Sequence, residues 1–96
     1  MDVLLHITSP DAAPIGAALG RALSEKGASW GCFLTNDGVK ALVDPAFAVA
    51  SKNAERVAVC EHSWDLHMAG LDCPVERGSQ TVNSALMAEA GRVVSL

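Results

Sequence analysis

Tyrosine is absent from this 96-residue chain, and its aromatic residues are Trp30, Phe33, Phe47 and Trp64 alone. A core must therefore be built from Val, Leu, Ile and Ala, with those four rings as its large pieces. Cations are also scarce: seven Lys and Arg face eleven Asp and Glu, and no two cations are adjacent. Nucleic-acid binding needs clustered cations to neutralise phosphates, so no direct DNA or RNA partner is expected. No apolar run approaches the ~18 residues of a membrane span. The start, Met-Asp-Val-Leu-Leu-His, lacks the basic, apolar and small-residue segments of a secretion signal, so a cytoplasmic location is expected, with no membrane partner. Three cysteines, Cys32, Cys60 and Cys73, are too few and too irregularly spaced for a disulfide framework and read as free thiols. No glycine-rich phosphate loop occurs, and no cofactor is expected.

Half of the residues are hydrophobic and 19% are charged, enough for one buried core and one domain over residues 1–96. A domain this short hides a modest share of its surface, which points to oligomerisation as a further source of stability. Val3 to Ile7 reads as a strand buried on both faces. Ser9-Pro10-Asp11 then supplies a helix cap, a proline for the first helical position and an anion for the positive end of the dipole. Ile15, Ala18, Leu19, Ala22 and Leu23 recur at helical spacing as one apolar stripe, and Gly27 ends the helix. Gly16 and Gly20 lie on a second face, either as points of close approach to the sheet or a neighbouring subunit, or as small surface residues.

Ala28 to Thr35 reads as the next strand, ending in the turn Asn36-Asp37-Gly38. A short helical turn over Val39 to Val43 and a helix from Asp44-Pro45 to about Asn53 follow. Arg56 to Cys60 is a third strand, Ser63 to Ala69 a short helix, and Leu71 to Gly78 a loop with a brief strand at Val75. Ser79 caps a last helix with Val82, Leu86 and Ala90 inward, and Arg92 to Leu96 is the final strand. Strands alternating with helices predict an α/β fold: a three-layer α/β/α sandwich on a mainly parallel sheet of four or five strands.

Sites in parallel sheets gather beyond the carboxyl ends of the strands, which here selects His6 to Asp11, Thr35 to Val39 and Cys60 to Trp64. Cys60 is the sharpest candidate. It stands where a strand ends and a helix begins, so helix N–H groups can stabilise a thiolate; the alternative is an unreactive strand-end cysteine. Ser63 either bonds that thiolate or caps the helix, and His62 is a neighbour able to perturb it or a polar loop residue. His6 reads as a core histidine close to the same crevice. Asn36, Asp37 and Gly38 either line the crevice or form a turn in which Asp37 caps the next helix. Cys32 reads as core, and Cys73 as a loop thiol or a second, resolving thiol. The series Cys60, His62, His67, Cys73 is not a metal site, because histidines five apart on a helix point in different directions.

In these segments the chain resembles the DsrE/DsrF-like sulfur-relay family. The resemblance is carried by Phe33-Leu34-Thr35-Asn36-Asp37-Gly38-Val39, by Val57-Ala58-Val59-Cys60 with Glu61-His62-Ser63, and by Ala90-Gly91-Arg92-Val93-Val94-Ser95-Leu96. It spans nearly the whole chain in order. It implies a flavodoxin-like fold, assembly into homo-oligomers or with related subunits, and a persulfide carried on Cys60 between sulfur donor and acceptor proteins. Two departures stand out: the segment between Gly38 and Cys60 is shorter than usual, and the family's arginine-glycine pair matches Arg77-Gly78 only with an insertion. The competing function is a non-catalytic oligomeric subunit or small-ligand-binding module of the same fold.

Overall fold

Five short strands carry most of the buried aliphatic residues, and the computed structural model, which describes all 96 residues, pairs every one of them in parallel. The strands are β1 (Val3–Ile7), β2 (Trp30–Leu34), β3 (Arg56–Cys60), β4 (Glu76–Gly78) and β5 (Arg92–Ser95), in the order β4-β3-β2-β1-β5. The connecting helices are α1 (Ala13–Glu25), α2 (Pro45–Ser51), α3 (Glu61–His67) and α4 (Gln80–Glu89). Short 3-10 helices at Pro10–Ala12 and Asn36–Val43 lead into α1 and α2. No helix is long and apolar enough to cross a membrane.

The strand order explains the layers. From β1 to β4 each strand is added on the same side of the last, so right-handed crossovers put α1, α2 and α3 on one face. The step from β4 back to β5 runs the other way and puts α4 alone on the opposite face. Residues alternate accordingly. Leu5, Ile7, Cys32, Leu34 and Val59 pack with Ala17, Phe47 and Trp64 in the larger core. Leu4, Phe33, Ala58 and Cys60 pack with Leu86 of α4 in the smaller one. The chain is a three-layer α/β/α sandwich, flavodoxin-like in its layers.

Local signals act largely as the sequence indicates. Ser9 accepts the Asp11 N–H at 3.2 Å, Asp44 caps α2 through the Phe47 N–H at 3.0 Å, and Ser79 caps α4 through the Thr81 N–H at 3.1 Å. Gly27 turns the chain after α1 with φ of 74°. The four large aromatic residues are each at most 2% exposed. The brief strand lies at Glu76–Gly78 rather than at Val75. α3 starts at Glu61, directly after β3, two residues before the expected Ser63.

One expectation is overturned in part: of the stripe Ile15, Ala18, Leu19, Ala22 and Leu23, only Leu19 and Leu23 pack against the core. The stripe of α1 that faces the core is Ala13, Gly16, Ala17 and Gly20, while Ile15 is 57% exposed and Ala18 and Ala22 lie open to solvent. The reason is steric. A Cβ at Gly20 would lie 2.6 Å from the Trp30 ring, and one at Gly16 would lie 3.0 Å from the Phe47 ring. The helix turns its smallest residues to two large rings of the core, keeps Leu19 and Leu23 half-buried at the edge of the contact, and leaves Ile15 outward.

Candidate functional site

Cys60 is the last residue of β3 and the residue that caps α3, with extended backbone angles of −67° and 119°. Its neighbour in register is Gly78 at the end of β4, two residues before α4 begins. Two helix starts therefore meet beside one sulfur. Cys60 is 8% exposed, on the α4 face of the sheet. As a neutral thiol it makes no capping hydrogen bond to the helix. Burial pushes its pKa up, but the Ser63 hydroxyl, the Ser63 N–H, the Gln80 side chain and the His62 N–H all favour the ionised sulfur. Together they outweigh burial, and the pKa lies below the ordinary thiol value.

The two side-chain donors are each held by another segment or side chain. The Ser63 Oγ accepts the Asn36 N–H at 2.9 Å and lies 3.4 Å from the Thr35 Oγ1. With one lone pair taken by the Asn36 N–H, the Ser63 proton has two acceptors in reach, the Thr35 hydroxyl and the sulfur. Asn36 reaches this position with φ of 55°, a left-handed backbone that asparagine tolerates better than most residues. On α4, the Asn83 Nδ2 donates to the Gln80 Oε1 at 3.1 Å, which orients the Gln80 amide nitrogen as the remaining donor. No cation takes part. Arg56 is forked onto Glu76 at 2.9 and 2.8 Å, and Arg77 holds Asp65 at 2.8 Å.

The other candidates separate. His62 is exposed, and its backbone N–H rather than its imidazole faces the sulfur. Gly38 is a packing residue: a Cβ there would lie 2.6 Å from the Ile7 carbonyl oxygen, so the 3-10 helix can lie against the end of β1 only with glycine. Asp37 does not cap the helical turn that follows it; it lies inside the first turn of that 3-10 helix, whose N-terminal flank is Thr35. His6 stacks on Phe33 with ring centroids 6.3 Å apart, one residue layer back from Cys60. Burial lowers its pKa, and its Nε2 is buried without a partner.

The remaining cysteines are on the far side of the sheet. Cys32 is fully buried, and burial pushes its pKa up to about 12. Cys73 is half-buried against the larger core and donates to the Val75 carbonyl at 3.4 Å. The sheet stands between either thiol and Cys60. No three His, Cys, Asp or Glu side chains converge as metal ligands would.

Gln80 and Asn83 are the site residues that sequence reasoning missed. Gln80 directly follows the Ser79 cap, and Asn83 is a polar residue on a helix otherwise apolar on its inner side; those are the only marks they leave in the sequence. The surface has two concavities, one on the outer face of α1 and one between α2 and the β3–β4 region, and Cys60 lines neither. The reversal of strand order falls between β1 and β5, where crevices usually open. Here the Thr8 N–H and hydroxyl both bond the Leu96 carbonyl, at 3.0 and 3.2 Å, and tie the two strand ends together. No protein-family model matches this sequence, and no curated protein matches it.

Proposed function

We propose that the protein is a DsrE-like sulfur carrier in which Cys60 holds a persulfide and passes its outer sulfur to a partner thiol. The observation that carries the reading is the place of Cys60 at the end of β3, directly before α3 and in register with Gly78 just ahead of α4, among neutral groups that favour a thiolate without a cation. The Cys60 thiolate attacks the outer sulfur of a donor persulfide, the S–S bond of the donor breaks, and the donor leaves as a thiolate. An acceptor thiolate then attacks the outer sulfur on Cys60, which leaves as a thiolate in turn. No net oxidation occurs in either step. A stabilised thiolate serves twice, because it is available at neutral pH and is a good leaving group. The reading assigns the protein to a reducing cytoplasm, working with sulfur donor and acceptor proteins.

The test is intact-protein mass spectrometry after incubation with a low-molecular-weight persulfide. The expected gain is one sulfur atom, mapped to Cys60 and absent from Cys60→Ser. A gain on Cys73, or none, ends the proposal. The narrow opening at Cys60, 8% exposed with no concavity beside it, favours a second reading, a binding module in which the cysteine is incidental. Under that reading Cys60→Ser leaves binding and biological role intact.

A further inference from the structure

Helix α1 is apolar on two opposite sides, and the fold uses one of them. Ala13, Gly16, Ala17 and Gly20 face the core. Across the helix, Pro14, Ile15, Ala18, Leu19 and Ala22 line a shallow, almost wholly apolar surface. Single exposed apolar residues are ordinary, but a helix apolar all round is normally a buried helix. Two further exposed residues, Val43 and Val49, lie on the segments that pack on the same side of the sheet as α1.

The charges around this surface say what covers it. The stripe begins just after Asp11 and ends just before Glu25 and Lys26, with Arg21 on its flank. The midpoint between Asp11 and Lys26 falls between Ala18 and Leu19, the middle of the stripe. A two-fold axis there, with two α1 helices antiparallel, brings Asp11 opposite the partner's Lys26 at both ends. The same register puts Ile15 opposite the partner's Ala22 and Leu19 opposite the partner's Ala18, large against small at each contact. The four rim charges sum to zero, so the rim itself adds nothing to the repulsion between two chains that each carry a formal charge of −4. An isologous contact of this kind is the commonest closed symmetry.

We propose that the outer face of α1 is a homodimer interface, two copies meeting antiparallel through Ile15, Ala18, Leu19 and Ala22, with Asp11–Lys26 ion pairs at each end. The proposal does not depend on the chemistry of Cys60. An antiparallel pair of helices about 20 Å long buries on the order of 800 Å² in total, below the ~1,200 Å² of stable specific complexes, so the dimer is weak and concentration-dependent.

Sedimentation velocity over a dilution series tests it. The expected result is a reversible monomer–dimer equilibrium with a midpoint of about 10–100 μM. Ala18→Arg, at an exposed position where the larger side chain reaches solvent in the monomer, raises that midpoint by at least about tenfold while circular dichroism stays unchanged. Lys26→Asp faces an aspartate with Asp11 and weakens the dimer, and the double exchange Asp11→Lys with Lys26→Asp restores it. A wild-type chain that stays monomeric at millimolar concentration overturns the proposal. So does a dimer indifferent to Ala18→Arg, and a charge exchange that fails to restore association refutes the antiparallel register.

Discussion

The contact between Gly20 and Trp30 decides which side of α1 meets the core, and Gly20→Ala tests it directly. The added Cβ would lie 2.6 Å from Cη2 and 2.7 Å from Cζ2 of the indole, about 1 Å inside normal contact. The ring cannot simply retreat. Trp30 is 1% exposed, and its Nε1 donates to the Ser24 Oγ, one turn along the same helix, at 2.9 Å. Overpacking of this kind costs about 1–3 kcal/mol, and displacing the indole from Ser24 adds about 1 kcal/mol. Against this, alanine is a better helix former than glycine by about 1 kcal/mol. The net is a destabilisation of about 1–3 kcal/mol, which in a domain of this size lowers the thermal midpoint by roughly 5–20 °C. Thermal and urea unfolding followed by Trp fluorescence measure it. Trp30→Phe removes the atoms that clash, so the double variant should lose less than the two single losses combined. A Gly20→Ala protein as stable as the wild type, or strictly additive losses, would refute the packing account of the reversed helix.

Three further outcomes follow from the site and its surroundings. Ser63→Ala removes a donor from the Cys60 sulfur, so the pH profile of Cys60 alkylation moves to higher pH, and Ser63→Thr restores it; an unmoved profile rules out the hydroxyl as a stabiliser. Alkylation of the native protein labels Cys60 and Cys73 and spares Cys32, whose fully buried thiol is pushed up to about 12; mapping the label by peptide mass spectrometry checks this, and early labelling of Cys32 counts against the packing. His6 has a folded-state pKa below its ordinary value of 6.5 because burial favours the neutral ring, so the unfolded chain binds protons more readily. Its stability contribution is full above that value and is lost as pH falls through the lowered folded pKa; unfolding free energies measured across the window should slope less in His6→Leu.

Much of the architecture was legible because it depends on near neighbours. Ser9, Asp44 and Ser79 cap the helices that follow them, Gly27 takes the positive φ that ends α1, and the apolar runs at Val3–Ile7 and Arg56–Cys60 are strands with the expected bounds. Cys60 at a strand-to-helix junction was legible for the same reason. Its helix donors, His62 and Ser63, are two and three residues away in the chain.

What lay beyond the sequence were contacts between distant segments. Periodicity marked an apolar stripe on α1 but not which way it faces, because Gly16 and Gly20 turn inward only when Phe47 and Trp30 are there to be accommodated. Gln80 joins Cys60 only because β4 pairs with β3, bringing the start of α4 to the end of a strand twenty residues earlier. Register put Cys60 on one face of the sheet and Cys32 on the other, since Cys32 pairs with Val57, three residues before Cys60, and Cys73 packs on the Cys32 side. Residue type and spacing determined the elements and the candidate nucleophile, since capping and amphipathicity act over a few residues. The facing of α1, the donors around the sulfur and the isolation of the three thiols were decided by tertiary packing, since steric fit and strand order act between segments that the chain keeps far apart.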